Sequence, residues 1–309
     1  MSHFPTARGP ERRLGAQARQ ALLLLVLGLA CAAGLAQTDS APNDKPGAPL
    51  RAPLSALLGA ALNALPAAQL LLLGEQHDAP SHQQIATELV RSLAAQGQLA
   101  ALVMEMLPTG RSSRGLAAGS SEQAVRQSLG WDDRAWAWQA YGPVAMAAVA
   151  AGVPVLGGNL PHEELRASMA RSELDQRLPA PALQEQKQLM REGHCGLLPE
   201  SQIGPMARIQ IARDLSLAAT LQSAAQNARP GQRVLLLTGS VHADKRLGIP
   251  QHLPATLSAV SVRMLSQGSD ASGGSFDLVW PTPPAPATDH CASLREQFKG
   301  RSARPPSPP

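Results

Sequence analysis

The sequence predicts an α/β domain: a mostly parallel β-sheet flanked by helices, with a smaller helical subdomain. Three observations carry this expectation. Short apolar runs alternate with helix-period stretches across 53–280, the pattern of repeated strand–helix units. Two of the runs, 69–73 and 234–237, are nearly continuous in Leu and Val, as strands buried on both faces are. The gap between the third and fourth runs, 157–233, is too long for one crossover helix. An added helical insertion is therefore expected at about 160–230.

Taken in order, residues 1–36 begin with Arg8, Arg12, Arg13 and Arg19 and continue into a Leu-rich run that ends in small residues. A basic start and a short apolar core read as a secretory signal peptide, too short to span a bilayer. Cleavage before Gln37 would place Gly34 and Ala36 at its −3 and −1 positions. Cleavage before Cys31 would instead leave an acylated cysteine, with Gly28 standing where a lipobox usually has Leu. Export to the periplasm or outer membrane follows, with a lipid anchor on Cys31 as one of the two routes. Residues 37–52 form a polar, Pro-containing linker. Strand-like runs follow at 69–73, 101–104, 153–156, 234–237, 259–262 and 276–279. Helix-like stretches lie at 82–95, 134–151, 183–191 and 202–225. The Pro-rich tail, 281–309, is expected to resist compact folding.

The net charge of +4 belongs to the ends, because 1–36 carries +3, the stretch from Lys299 another +3, and 37–298 only −2. A nucleic-acid binder keeps its basic stripe on the folded body, so that class is set aside. Of the three cysteines, Cys31 is either removed or acylated. Cys195 and Cys291 then share an oxidising compartment, where they can form a disulfide. The other reading makes Cys195, next to His194, a reactive or ligating thiol.

Ligands of open α/β sheets bind beyond the carboxyl ends of the strands. The residues that follow the runs here are Gly74-Glu75-Gln76-His77, Glu105, Gly157-Gly158-Asn159, and Thr238-Gly239-Ser240-Val241-His242. Two Gly-x-x-His elements with Glu75 and Glu105 on one rim could hold a divalent metal or run acid–base chemistry without one. Aromatics form a second constellation: of eight, Trp131, Trp136, Trp138 and Tyr141 fall within 131–141. Trp138 and Tyr141, three residues apart, share a helix face. That face either packs as a core or lid helix, or offers the only phenol of the chain to a ferric porphyrin. Arg213 and Asp214 read as two separate contacts. His82, His162, His252 and His290 read as structural or solvated.

These motifs, with Trp138-x-x-Tyr141-x-Pro143, Asn159-Leu160-Pro161, His194-Cys195-Gly196, Gln210-x-x-Arg213-Asp214 and a closing segment of Phe276 to Trp280 before Cys291, together resemble the ChaN-like haem-binding lipoproteins. Those lie within the wider Tiki/TraB and erythromycin-esterase-like group. The resemblance spans roughly 66–291. It implies a parallel α/β sheet with a helical part and a secreted or lipid-anchored location. It further implies a non-enzymatic role in haem or iron acquisition, with ferric haem ligated by a tyrosine. In this sequence that residue is Tyr141, with Trp138, His77 and His242 around the haem. A haem covered on one face by the Trp-lined helix would leave the other as an exposed apolar patch, so a haem-dependent homodimer is expected, and outer-membrane haem transport machinery is the further partner brought into view. The alternative is a hydrolase in which Glu75, His77, Glu105 and His242 bind a divalent metal ion or activate water.

Overall fold

The computed structural model describes residues 64–302, with Gly59 and Leu62 before them. The expected signal peptide, Cys31, the 37–52 linker and the last seven residues, 303–309, lie outside the described residues. One sheet holds β1 (Leu70–Glu75), β2 (Leu99–Pro108), β3 (Val155–Asn159), β4 (Arg233–Gly239), β5 (Ala259–Ser266) and β6 (Leu278–Thr282). Their order is β3-β2-β4-β1-β5-β6, and every pairing is parallel.

The apolar runs follow from burial on both faces. Leu71 and Leu73 of β1 join one core with Leu89 of α1 (Pro80–Ala95) and Val144 of α3 (Trp138–Ala150). Leu70 and Leu72 point the other way, into a core with Leu217 and Leu221 of α6 (Glu200–Gln226). Each of these leucines is fully buried, which contributes roughly 1.5–3 kcal/mol per side chain before entropy. A polar residue anywhere in this run would face one of the two cores.

The helical insertion comprises α4 (His162–Ala170), a 3₁₀ turn at Ser172–Arg177, α5 (Ala180–Gly193) and the first half of α6. It carries its own apolar clusters around Leu174 and Ile211 and around Ile203 and Met206. Three sequence expectations change in detail. The helix expected from 134 starts at Trp138, because the chain turns at 132–137 and Asp133 accepts the Trp138 N–H. A helix not foreseen, α2 (Glu122–Leu129), is capped by Ser121 and closed by Gly130 at φ 58°. The tail does not resist folding over its first part: β6 runs to Thr282, and α8 (His290–Ser302) follows a short loop. A disulfide between Cys195 and Cys291, with Cα atoms 5.7 Å apart, ties α8 to the turn after α5.

Topology also places the two Gly-x-x-His turns side by side, the second of them forming the short helix α7 (Ser240–Ala243). β1 and β4 are neighbours, with Glu75 paired in register to Gly239. A Cβ on Gly74 would lie 2.9 Å from the Ser240 Cα, so only glycine lets the second turn cross the first this closely.

Candidate functional site

A cavity of about 690 Å³ opens where β1, β2, β3 and β4 end, roofed by α4, α5 and α6. Its wall includes Glu75, His77, Glu105, Asn159 and His242, so the strand-end residues singled out from the sequence do converge. Apolar cover comes from Met106, Trp136, Leu160, Leu165, Leu189 and Met190.

Glu75, the last residue of β1, is buried and accepts three hydrogen bonds: Tyr141 Oη at 2.8 Å, His77 Nδ1 at 2.9 Å and Gln83 Nε2 at 2.5 Å. With its Nδ1–H given to Glu75, a neutral His77 carries its lone pair on Nε2. Burial pulls the His77 pKa down, but the Glu75 hydrogen bond and charge, with Glu105 behind, leave it raised above 6.5. The ring remains 29% exposed, on the cavity wall beside Trp136 at 4.8 Å between centroids.

The turn bearing His77 is fixed from behind. The Gln76 N–H donates to His82 Nδ1 at 2.9 Å, so the other ring nitrogen carries the proton and donates to Thr282 Oγ1 at 2.8 Å. His82 is fully buried, and burial lowers its pKa to about 4. The structural role read for it is thus a specific one.

The second cluster sits on the β2–β4 side. β2 runs past Glu105, which therefore lies inside the strand. One carboxylate oxygen accepts from Thr238 Oγ1 and the Gly239 N–H, both at 2.8 Å, and the other lies 3.4 Å from His242 Nε2. Burial alone would raise the Glu105 pKa, but the charges of His242 and His77 and these donors hold it well below the ordinary value. Asp214 of α6 takes the other ring nitrogen of His242 at 2.5 Å. Burial opposes charge on His242, yet the two carboxylates outweigh it and raise its pKa to about 10. Asp214 is itself pushed up to about 6 by burial, against the pull of His242. At neutral pH the pair is an imidazolium between two carboxylates. The Gln210 amide lies 2.8 Å from His242 Nε2. It must turn its carbonyl there, because two N–H groups cannot bond each other.

The aromatic residues divide differently from the sequence reading. Trp138 is 4% exposed and packs edge-on against Trp131, away from the cavity; Trp136 is the tryptophan on the cavity wall. Tyr141 is 2% exposed and is not on that wall. Its hydroxyl sits behind His77, 3.3 Å from Nδ1. Burial and the neighbouring Glu75 charge raise its pKa. Asp214, Gln210 and Arg213 were missed as site residues. Their signal was a run of polar side chains within an apolar helical stretch. Among the described residues, no three His, Cys, Asp or Glu side chains stand close enough to share a metal ion, and no helix is long and apolar enough to cross a membrane.

The profile of one protein family, described as haem-binding uptake, Tiki superfamily, ChaN, matches residues 61–253. Among solved structures, ChaN of Campylobacter jejuni, described with cofacial haem binding, is 21% identical over 73% of this chain and 90% of its own, with a TM-score of 0.56. The type III effector HopBA1 is 17% identical, covering 76% of this chain and 95% of its own, at a TM-score of 0.44. An erythromycin esterase mutant, EreC, in its open conformation is 14% identical over 65% and 71%, at 0.41. The first supports the fold, and the other two are too distant to support more. A search of curated proteins gave no match.

Proposed function

Because the chain belongs to the haem-binding uptake ChaN family of the Tiki superfamily, we propose that it binds haem in the cavity between the strand rim and the helical insertion. The residues fit the group. The volume lies within the roughly 300–1,000 Å³ of small-molecule sites, and Met106, Trp136, Leu160 and Leu189 offer apolar surface to a planar macrocycle. One observation carries the reading: the Tyr141–Glu75–His77 chain ends on a part-exposed imidazole in the cavity wall. Bound haem would supply a ferric centre open to a donor from this wall. We assign that donor to His77 Nε2, with Glu75 orienting the ring and raising its basicity.

Ligation by Tyr141, which the family resemblance implies, is the competing arrangement. It has two bases beside the phenol to take its proton, but the oxygen would have to leave Glu75 and come out from behind His77. The proposal extends to an exported chain, acylated at Cys31 or cleaved before Gln37, serving haem or iron acquisition at the cell envelope. Outer-membrane transport machinery is the partner proposed, and a homodimer is proposed to cover the open side of the haem. Titration of the purified protein with haemin, followed by absorbance, tests binding. Saturation at one haemin per chain, weakened in His77→Ala, is expected. No Soret shift in wild type overturns the proposal.

A second reading rests on a separate observation, the buried Asp214–His242–Glu105 chain beside His77. Two imidazoles on one wall, one of them held as an imidazolium by Glu105 and Asp214, supply acid–base groups for hydrolysis. Ester hydrolysis lost in His242→Gln while haemin still binds would establish it.

A further inference from the structure

The cavity wall carries a cation that the haem reading leaves unused. Arg213 stands on α6 one turn after Gln210 and lines the cavity beside His242. Its Nε is buried without a hydrogen-bond partner, and the guanidinium makes no ion pair within 4.0 Å among the described residues. The nearby acids are already engaged: Glu105 with Thr238, Gly239 and His242, and Asp214 with His242. Arg134, the other arginine on the wall, differs, because it is largely exposed and gripped by Asp132. Burial lowers the Arg213 pKa despite the fields of Glu105 and Asp214, yet arginine stays protonated in proteins.

Arg213 is part-buried at the wall, and a guanidinium drawn from water without a partner is costly, a cost that an anionic ligand in the cavity would offset. The planar fork of a guanidinium matches the two oxygens of a carboxylate. From these observations we infer that Arg213 anchors a carboxylate of the bound ligand. In the haem reading, on which this inference rests, that group is a propionate. The anchor sits on the helical insertion and the proposed iron donor on the turn after β1, so the two together would fix how the macrocycle lies in the cavity.

The test compares haemin with haemin dimethyl ester, followed by tryptophan quenching and the Soret band. Wild type should prefer the diacid by about tenfold or more, the scale of one charge-assisted pair. Arg213→Met should erase that preference, Arg213→Lys should restore part of it, and the ester should bind all three proteins alike. The ligand-free Arg213→Met protein should keep at least the wild-type urea midpoint, since no partner is lost. If Arg213→Met still prefers the diacid as wild type does, or loses much of its ligand-free stability, the inference is overturned and the haem reading stands. If wild type takes up neither compound, the haem reading fails and the anchor falls with it.

Discussion

Gly239→Ala tests the assignment of His77 with a single methyl group. A Cβ at Gly239 would stand 2.9 Å from His77 Nε2, 3.3 Å from Cε1 and 3.7 Å from Glu105 Oε2. Ordinary contact begins near 3.4 Å, so the imidazole must retreat by about half an ångström. That movement stretches or breaks the 2.9 Å bond to Glu75, at about 0.5–1.5 kcal/mol. The methyl also crowds Nε2, the atom assigned to the iron. The backbone itself accepts alanine, because Gly239 has φ −61°, and its N–H can still reach Glu105. Haemin affinity should therefore fall about tenfold or more, equivalent to about 1.4 kcal/mol, with a changed axial-ligand spectrum and a retained melting transition. The assay is an absorbance titration beside a thermal melt. A folded Ala variant with wild-type spectrum and affinity would refute the reasoning.

Three further outcomes are expected. His82 has a folded pKa of about 4 against 6.5 when unfolded, so its contribution is complete above pH 6.5 and is lost as pH falls from 6.5 through 4; at 1.36 kcal/mol per pH unit this is about 3 kcal/mol, and His82→Gln should flatten the urea midpoint against pH across that window. Cys195 and Cys291 are 96 residues apart, so breaking the disulfide should cost at most about 4–5 kcal/mol in the chain-entropy model, read as a lower urea midpoint in Cys195→Ser or reduced protein. Mature protein recovered from the cell envelope should have an intact mass starting at Cys31 or Gln37, and full-length chain confined to the cytosol would contradict the proposed export.

Much of the fold was legible because strands buried on both faces need continuous apolar runs. The six runs became six strands, and the long gap before 233 became the helical insertion. What the sequence could not supply was adjacency. Nothing in the residues says that β1 and β4 are neighbours, which is what sets Glu75 opposite Gly239 and brings both histidine turns to one cavity. Burial direction was equally hidden: Trp138 and Tyr141 do share a helix face, but that face turns into the core and leaves Trp136, on the preceding turn, at the cavity. Arg213 and Asp214 make the two separate contacts that their adjacent helix positions predict: Asp214 reaches His242 and Arg213 lines the cavity. Their importance depends on where α6 crosses the strand ends, a tertiary fact that local pattern does not encode.

The most direct test of His77 as the iron donor is the absorption and electron-paramagnetic-resonance spectrum of the ferric haem complex in wild type, His77→Ala and Tyr141→Phe, compared side by side. Ligation by His77 predicts an imidazole-type signature in wild type that persists in Tyr141→Phe and disappears in His77→Ala. A high-spin phenolate charge-transfer band that vanishes only in Tyr141→Phe would contradict it and move the iron to the tyrosine behind the wall.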